Sequence, residues 1–282
     1  MTATAPVLTA QDQRPSPRDA WLTGRRALRA EWTKQRTVAG PGWLLVAAAV
    51  LTIAVSVAAA AATHCRPGGE CPVDTAKLSL TGVQLGQAVV AVLATTAVGA
   101  EYGTGLIRVT LTAVPGRLTL LAAKAVTVTV PVLVAATAGV LGSVLAGGLL
   151  LPGHGLGPSH GFTALTLTDG SVLRAAGGSI LYLELVALLA LGVAAAVRDS
   201  AVAIGVVLGL LYLFPIIAAA TANPHWQRRI EQLSPMTAGL EIQATTNLSA
   251  LPIAPWSGLG VLAAWAAAAL LTGALLLRFR DA

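Results

Sequence analysis

The chain of 282 residues is 55% hydrophobic and only 11% charged, with a mean hydropathy of +0.76. A soluble domain carries about 25% charged residues, so a wholly water-facing exterior is excluded and much of the surface must meet lipid. The formal charge of +6 and pI of about 10.0 would suggest nucleic acid in a soluble protein. Here the basic residues sit between apolar runs, so topology accounts for them and no nucleic-acid partner is expected.

Residues 1–17 are polar and proline-containing and read as a disordered cytoplasmic tail. They and the basic stretch after them make too long an n-region for a simple cleaved signal peptide. From Arg18 to Val38 the pattern becomes helical. Trp21, Leu28 and Trp32 share one narrow stripe, flanked by Arg25, Arg29 and Arg36. Such a helix can lie in the headgroup layer, with rings buried and guanidinium groups reaching phosphate. The plainer alternative is a basic juxtamembrane anchor.

Six stretches are apolar for the roughly 20 residues that a helix needs to cross a bilayer. They cover approximately residues 43–62, 82–100, 125–150, 179–197, 201–220 and 258–277. Alternation of period two is absent, which argues against a lipid-facing β-barrel. With the N-terminus inside, the inner segments hold 13 of the lysines and arginines and the outer segments 5. That asymmetry orients both termini to the cytoplasm. The expected fold is an all-α domain of six transmembrane helices over residues 18–282. Arginine outnumbers lysine and alanine is abundant, which suggests a GC-rich bacterial genome and hence a bacterial plasma membrane.

The first outer loop, His64-Cys65-Arg66-Pro67-Gly68-Gly69-Glu70-Cys71, holds both cysteines. In an oxidising compartment its Pro-Gly-Gly turn favours a loop-closing disulfide between Cys65 and Cys71. Two free thiols remain an alternative. A metal site built on His64 and both thiols lacks a fourth ligand of obvious identity. The third connection, 152–178, contains His154, Ser159, His160 and Asp169, but no nucleophile elbow frames them and a solvated loop is expected. No lysine follows a glycine, so no Walker A loop is present, and the chain should hold no cofactor of its own.

Glu184 is the one acidic residue well inside a span, expected a turn or two from the outer end of the fourth helix, near Arg174 or water. Gln84 and Gln87 open the second span and would line a cavity or cross-link helices. Gly82-x-x-x-Gly86 and Gly205-x-x-x-Gly209 mark close-packing faces. Pro131 and Pro215 should kink the third and fifth spans.

The inner connection after span two runs Glu101-Tyr102-Gly103-Thr104-Gly105-Leu106-Ile107-Arg108, then Leu111, Pro115 and Arg117, ending at Lys124. A short helix over 104–114, stopped by Pro115, would place Ile107, Leu111 and Val114 on one face. This run resembles the matching segment of ABC transporter permeases of the type-2 exporter class. Glu31-Trp32-Thr33-Lys34 is similar to that family's Glu-x-x-Lys on its connecting helix. Arg198-Asp199-Ser200 resembles its tight inner turn, and Leu233-Ser234-Pro235 with Ala238-Gly239 its outer segment. The likeness extends from about Ala30 onward, with Gly103-Thr104-Gly105 displaced from the usual glycine position.

The resemblance implies a non-enzymatic transport subunit that pairs with a second copy or a sister permease. It also implies a separate ATPase, carrying ATP and Mg, docked on a coupling helix within 101–124. By the same analogy the 18–38 helix assists docking, spans two and five border the pathway, and 223–256 forms re-entrant gate helices. The cargo would be hydrophobic or amphipathic. The competing readings are a membrane scaffold or sensory anchor, and an intramembrane enzyme using Glu184 or the His154–His160 loop.

Overall fold

The computed structural model describes residues 17–64, 73–103, 116–156, 162 and 165–279, with side chains from residue 24 onward. The expected Cys65–Cys71 pairing lies outside the described residues. So do Thr104, Gly105, Ile107, Arg108, Leu111 and Pro115 of the inner connection, and the side chain of Trp21.

The described residues are helical, with no strand among them. Helix α1 (Pro17–Thr37) lies against one end of the bundle, called proximal below. The first span, α2 (Ala39–Ala62), is followed by a short α3 (Thr75–Ser79) and then α4 (Val83–Gly103). The third span is α5 (Arg117–Leu150), extended by a 3-10 turn at Leu151–His154. After it come α6 (Gly170–Val197) and α7 (Ser200–Ala220). Two short helices, α8 (Pro224–Leu233) and α9 (Pro235–Leu240), occupy the distal end before the last span, α10 (Pro255–Phe279).

Six of these helices, α2, α4, α5, α6, α7 and α10, are long and apolar enough to cross a membrane. A helix satisfies most of its backbone polar groups internally, as hydrocarbon demands. The chain is a multi-pass helical membrane protein.

Two spans are longer than their apolar runs. The third was expected from residue 125 but begins at Arg117, and the fourth was expected from 179 but begins at Gly170. Helical hydrogen bonding does not stop where side chains become polar. Asp169 starts α6 by accepting from the Ser171 amide at 2.7 Å, an N-cap that satisfies an otherwise orphaned donor. Part of the expected outer loop is therefore helix. Pro131 and Pro215 both sit inside continuous helices.

Helix α6 is the axle of the bundle: it packs along α10 and also touches α4, α5 and α7. Over half (56%) of the apolar stretch of α4 and of α6 is buried, against 22% in α2, α7 and α10. The α6–α10 crossing is close because a Cβ on Gly192 would stand 2.5 Å from the Ala269 carbonyl carbon. Gly82 and Gly86 likewise admit α2. Added Cβ atoms would meet the Thr52 carbonyl oxygen at 1.8 Å and Thr52 Oγ1 at 2.1 Å. Gly205 and Gly209 do not serve that purpose within this chain, since nothing lies within 4 Å of either added Cβ.

The turn between α6 and α7 is two residues long. Arg198 takes the left-handed conformation (φ 65°), which costs a non-glycine residue about 1–2 kcal/mol. Asp199 then caps α7 by accepting from the Val202 amide at 2.8 Å. The Arg198 guanidinium donates to the Leu276 carbonyl at 3.1 Å and lies 5.6 Å from the Tyr102 ring centroid. These contacts hold the strained residue in place.

Candidate functional site: a buried ion quartet at the proximal end

Four charged side chains from three helices converge where α1 meets the bundle. Lys124 Nζ, on α5, lies 3.0 Å from Glu31 Oε2 of α1 and 2.7 Å from Glu101 Oε1 of α4. It also donates to the Ala97 carbonyl at 3.3 Å. Lys34 of α1 pairs with the same Glu101 oxygen. Glu31, Glu101 and Lys124 are buried, and the Lys34 side chain is 42% exposed. Two cations and two anions make the group formally neutral. A buried pair stays favourable only with good geometry and further hydrogen bonds, and Lys124 has three acceptors around it.

Local sequence explains how each member arrives there. Ala27 of α1 packs on Ala123 of α5, bringing the two backbones close, with Leu28 half-buried beside them. Ala27, Glu31 and Lys34 follow one another at spacings of four and three, so they share a face. That face is turned to the protein. Trp32 is 39% exposed, with the Arg36 guanidinium 6.0 Å from its ring centroid. A hydrophobic stripe is what periodicity detects. A buried glutamate is invisible to it, because its partner stands 93 positions away.

The residues expected at the start of the coupling segment point inward. Glu101 belongs to the quartet, and Tyr102 is half-buried beneath Arg198. Arg117 Nη1 donates to the Leu277 carbonyl at 2.6 Å. With Arg198 it caps the last turn of α10, where cations complement the carbonyl end of the helix. Arg25 and Arg29 are exposed on α1. A cleft of about 330 Å³ opens beside the quartet, between α1, α2 and α4. Its walls include Pro41, Leu44, Leu93 and Ala97, and Glu31, Lys34 and Glu101 line its polar side.

Deeper in the bundle, Gln87 is fully buried and cross-links helices rather than lining a cavity. It accepts from the Tyr182 hydroxyl of α6, while Tyr212 of α7 donates to the Gln84 carbonyl. Glu184 is not near the outer end of its helix. Because α6 starts at Gly170, Arg174 lies ten positions, or roughly 15 Å, away along the axis. Arg174 instead donates to the Ala244 carbonyl at 2.5 Å. Glu184 Oε1 is buried with no hydrogen-bond partner among the described residues. Pro215 stands on the sparsely packed α7.

At the distal end a second polar cluster, not anticipated from the sequence, fastens the 241–246 segment to the loop before α3. Asp74 accepts from the amides of Ala76 and Lys77 at 3.1 Å each. It also accepts from the Thr245 and Thr246 amides at 2.5 and 3.0 Å, and from the Thr245 hydroxyl at 2.8 Å. Lys77 adds an ion pair to Glu241 at 3.1 Å. Partial burial pushes the Asp74 carboxyl up, but the donors from Thr245, Lys77 and Thr246 outweigh it and hold it below its ordinary value of 3.8. The link spans 171 positions and has no local signature.

Fold and site together define a polytopic α-helical membrane protein with a charged joint at one end of its bundle. Comparison with protein-family models and with curated proteins returned no match.

Proposed function

We propose that this chain is the membrane-spanning subunit of an ATP-driven exporter of the ABC type. In this reading it docks a separate ATPase that holds ATP and Mg, and it works as a dimer with a second copy or a sister permease. The proximal end faces the cytoplasm of a bacterial plasma membrane, in keeping with the arginine bias. The observation that carries the reading is the buried quartet. It joins the first helix to the ends of spans two and three, which flank the 104–115 segment expected to receive the ATPase. A push on that segment is delivered through α4 and α5, and α1 must follow because Glu31 and Lys34 are bonded to both.

Closure of the ATPase pair on nucleotide then biases the bundle between two states, supplying the differential binding that any such shift requires. The apolar walls suit a hydrophobic or amphipathic cargo such as a drug, peptide or lipid-like molecule. The test is reconstitution in proteoliposomes with the cognate ATPase. Permease-dependent ATP turnover, stimulated by an amphipathic cargo, is expected. Equal turnover with and without the permease across a broad cargo panel would overturn the reading.

A further inference from the structure

The distal end carries a feature that transport does not use. His64, just past the end of α2, and His154, in the 3-10 turn after α5, bring their rings together from two different loops. Their Nδ1 atoms are 2.9 Å apart and the ring centroids 4.5 Å apart, with the planes inclined by 30°. His64 is exposed and His154 half-exposed, so the pair is open to solvent.

We infer that His64 and His154 form a binding site for a divalent transition-metal cation, of which Cu²⁺ or Ni²⁺ is the best match. Neutral imidazole nitrogen is a preferred ligand for these ions. A metal about 2.0–2.1 Å from each nitrogen, with the nitrogens as far apart as they stand here, subtends an angle of about 90°. That is the angle between neighbouring ligands in square-planar, tetragonal or octahedral coordination, the geometries of Cu²⁺ and Ni²⁺. A tetrahedral Zn²⁺ would need the nitrogens about 3.3 Å apart. Without a metal, one ring must donate its Nδ1 hydrogen to the other. A cation replaces that hydrogen, and both rings become acceptor ligands with their hydrogens on Nε2.

No third His, Cys, Asp or Glu joins the pair among the described residues, so the two imidazoles are the protein ligands on which the inference rests. An ion held there clips the distal ends of α2 and α5, two spans that already pack along each other. The inference is independent of the transport reading, because it needs neither an ATPase nor a cargo.

The experiment is a Cu²⁺ titration of the full chain in detergent, purified through a tag without histidine. Free copper is measured, and pulsed electron paramagnetic resonance counts the coordinated imidazoles. One ion per chain with two imidazoles is expected. His154→Ala or His64→Ala should leave one imidazole and weaken binding at least tenfold, since loss of a mere supporting contact already costs about 10–100-fold. His154→Gln serves as a second variant, and unchanged helical circular dichroism certifies the fold. Copper binding equal in wild type and the His64→Ala/His154→Ala double variant would overturn the inference. Binding that survives His154→Ala but is lost in Cys65→Ser/Cys71→Ser would also overturn it, by placing the ion on sulfur.

Discussion

Replacing Lys124 with methionine removes the cation that bridges both carboxylates of the quartet. Glu101 still has Lys34, but Glu31 loses its 3.0 Å partner while remaining buried. Removing one member of a buried pair costs about 3–5 kcal/mol, because the surviving charge is left without compensation. Lys34→Met should cost only about 1 kcal/mol or less, since its side chain is 42% exposed and Glu101 keeps Lys124. Adding Glu31→Gln to Lys124→Met removes the stranded charge and should recover about 2 kcal/mol, a coupling typical of residues in one network. Equilibrium unfolding in mixed detergent–dodecyl sulfate micelles, followed by circular dichroism, reads all three. If Lys124→Met costs no more than Lys34→Met, or if the double variant is no better than the single, the quartet is not an energetic unit. The idea of a joint built on charge would then fail.

Two further outcomes follow from the packing. Asp74 has a lowered carboxyl pKa, so its contribution is fully present above the unfolded value near 3.8 and is lost as pH falls through the lower folded value. The gap in thermal stability between wild type and Asp74→Asn should therefore stay constant from neutral pH down to about pH 5 and close below about pH 4; a gap that closes between pH 5 and 7 would falsify the assignment. Gly82→Leu drives side-chain atoms into the Thr52 carbonyl and should destabilise by at least about 1–3 kcal/mol. Gly205→Leu meets open space and should change stability by no more than about 0.5 kcal/mol, with the same micelle titration separating the two.

The six spans were legible because span-forming information is local: about twenty apolar residues in a row suffice, whatever the rest of the chain does. Their ends were less so. The rule that finds a span cuts it where Lys124 or the Gly170–Gly178 run begins, whereas the helices continue through both. That error carried over to Glu184, whose depth was judged from the wrong starting point. Of the quartet, Glu31, Lys34 and Glu101 stood out individually, with Lys124 as the end of the inner connection. Their convergence did not, because contacts across 23 to 93 positions leave no periodic trace. Asp74, Thr245 and Thr246 carried no signal at all. The glycine pairs show the same limit. Gly82-x-x-x-Gly86 and Gly205-x-x-x-Gly209 are identical as motifs, yet only the first has a helix pressed against it.

The quartet also imposes a timetable on the growing chain. Helix α1 is made before the spans, but the lysine that neutralises Glu31 emerges 93 residues later. At about 5–20 residues per second that is a delay of roughly 5–20 s. Throughout it α1 must wait outside the bundle, with its glutamate still hydrated, while spans one and two enter the bilayer. Spans two and three bring Glu101 and Lys124, a carboxylate and an ammonium that can neutralise each other as the hairpin is inserted. Only then is there a seat for α1. A helix synthesised ahead of the spans is thus placed after three of them, and a truncation before Lys124 would leave it without an anchor.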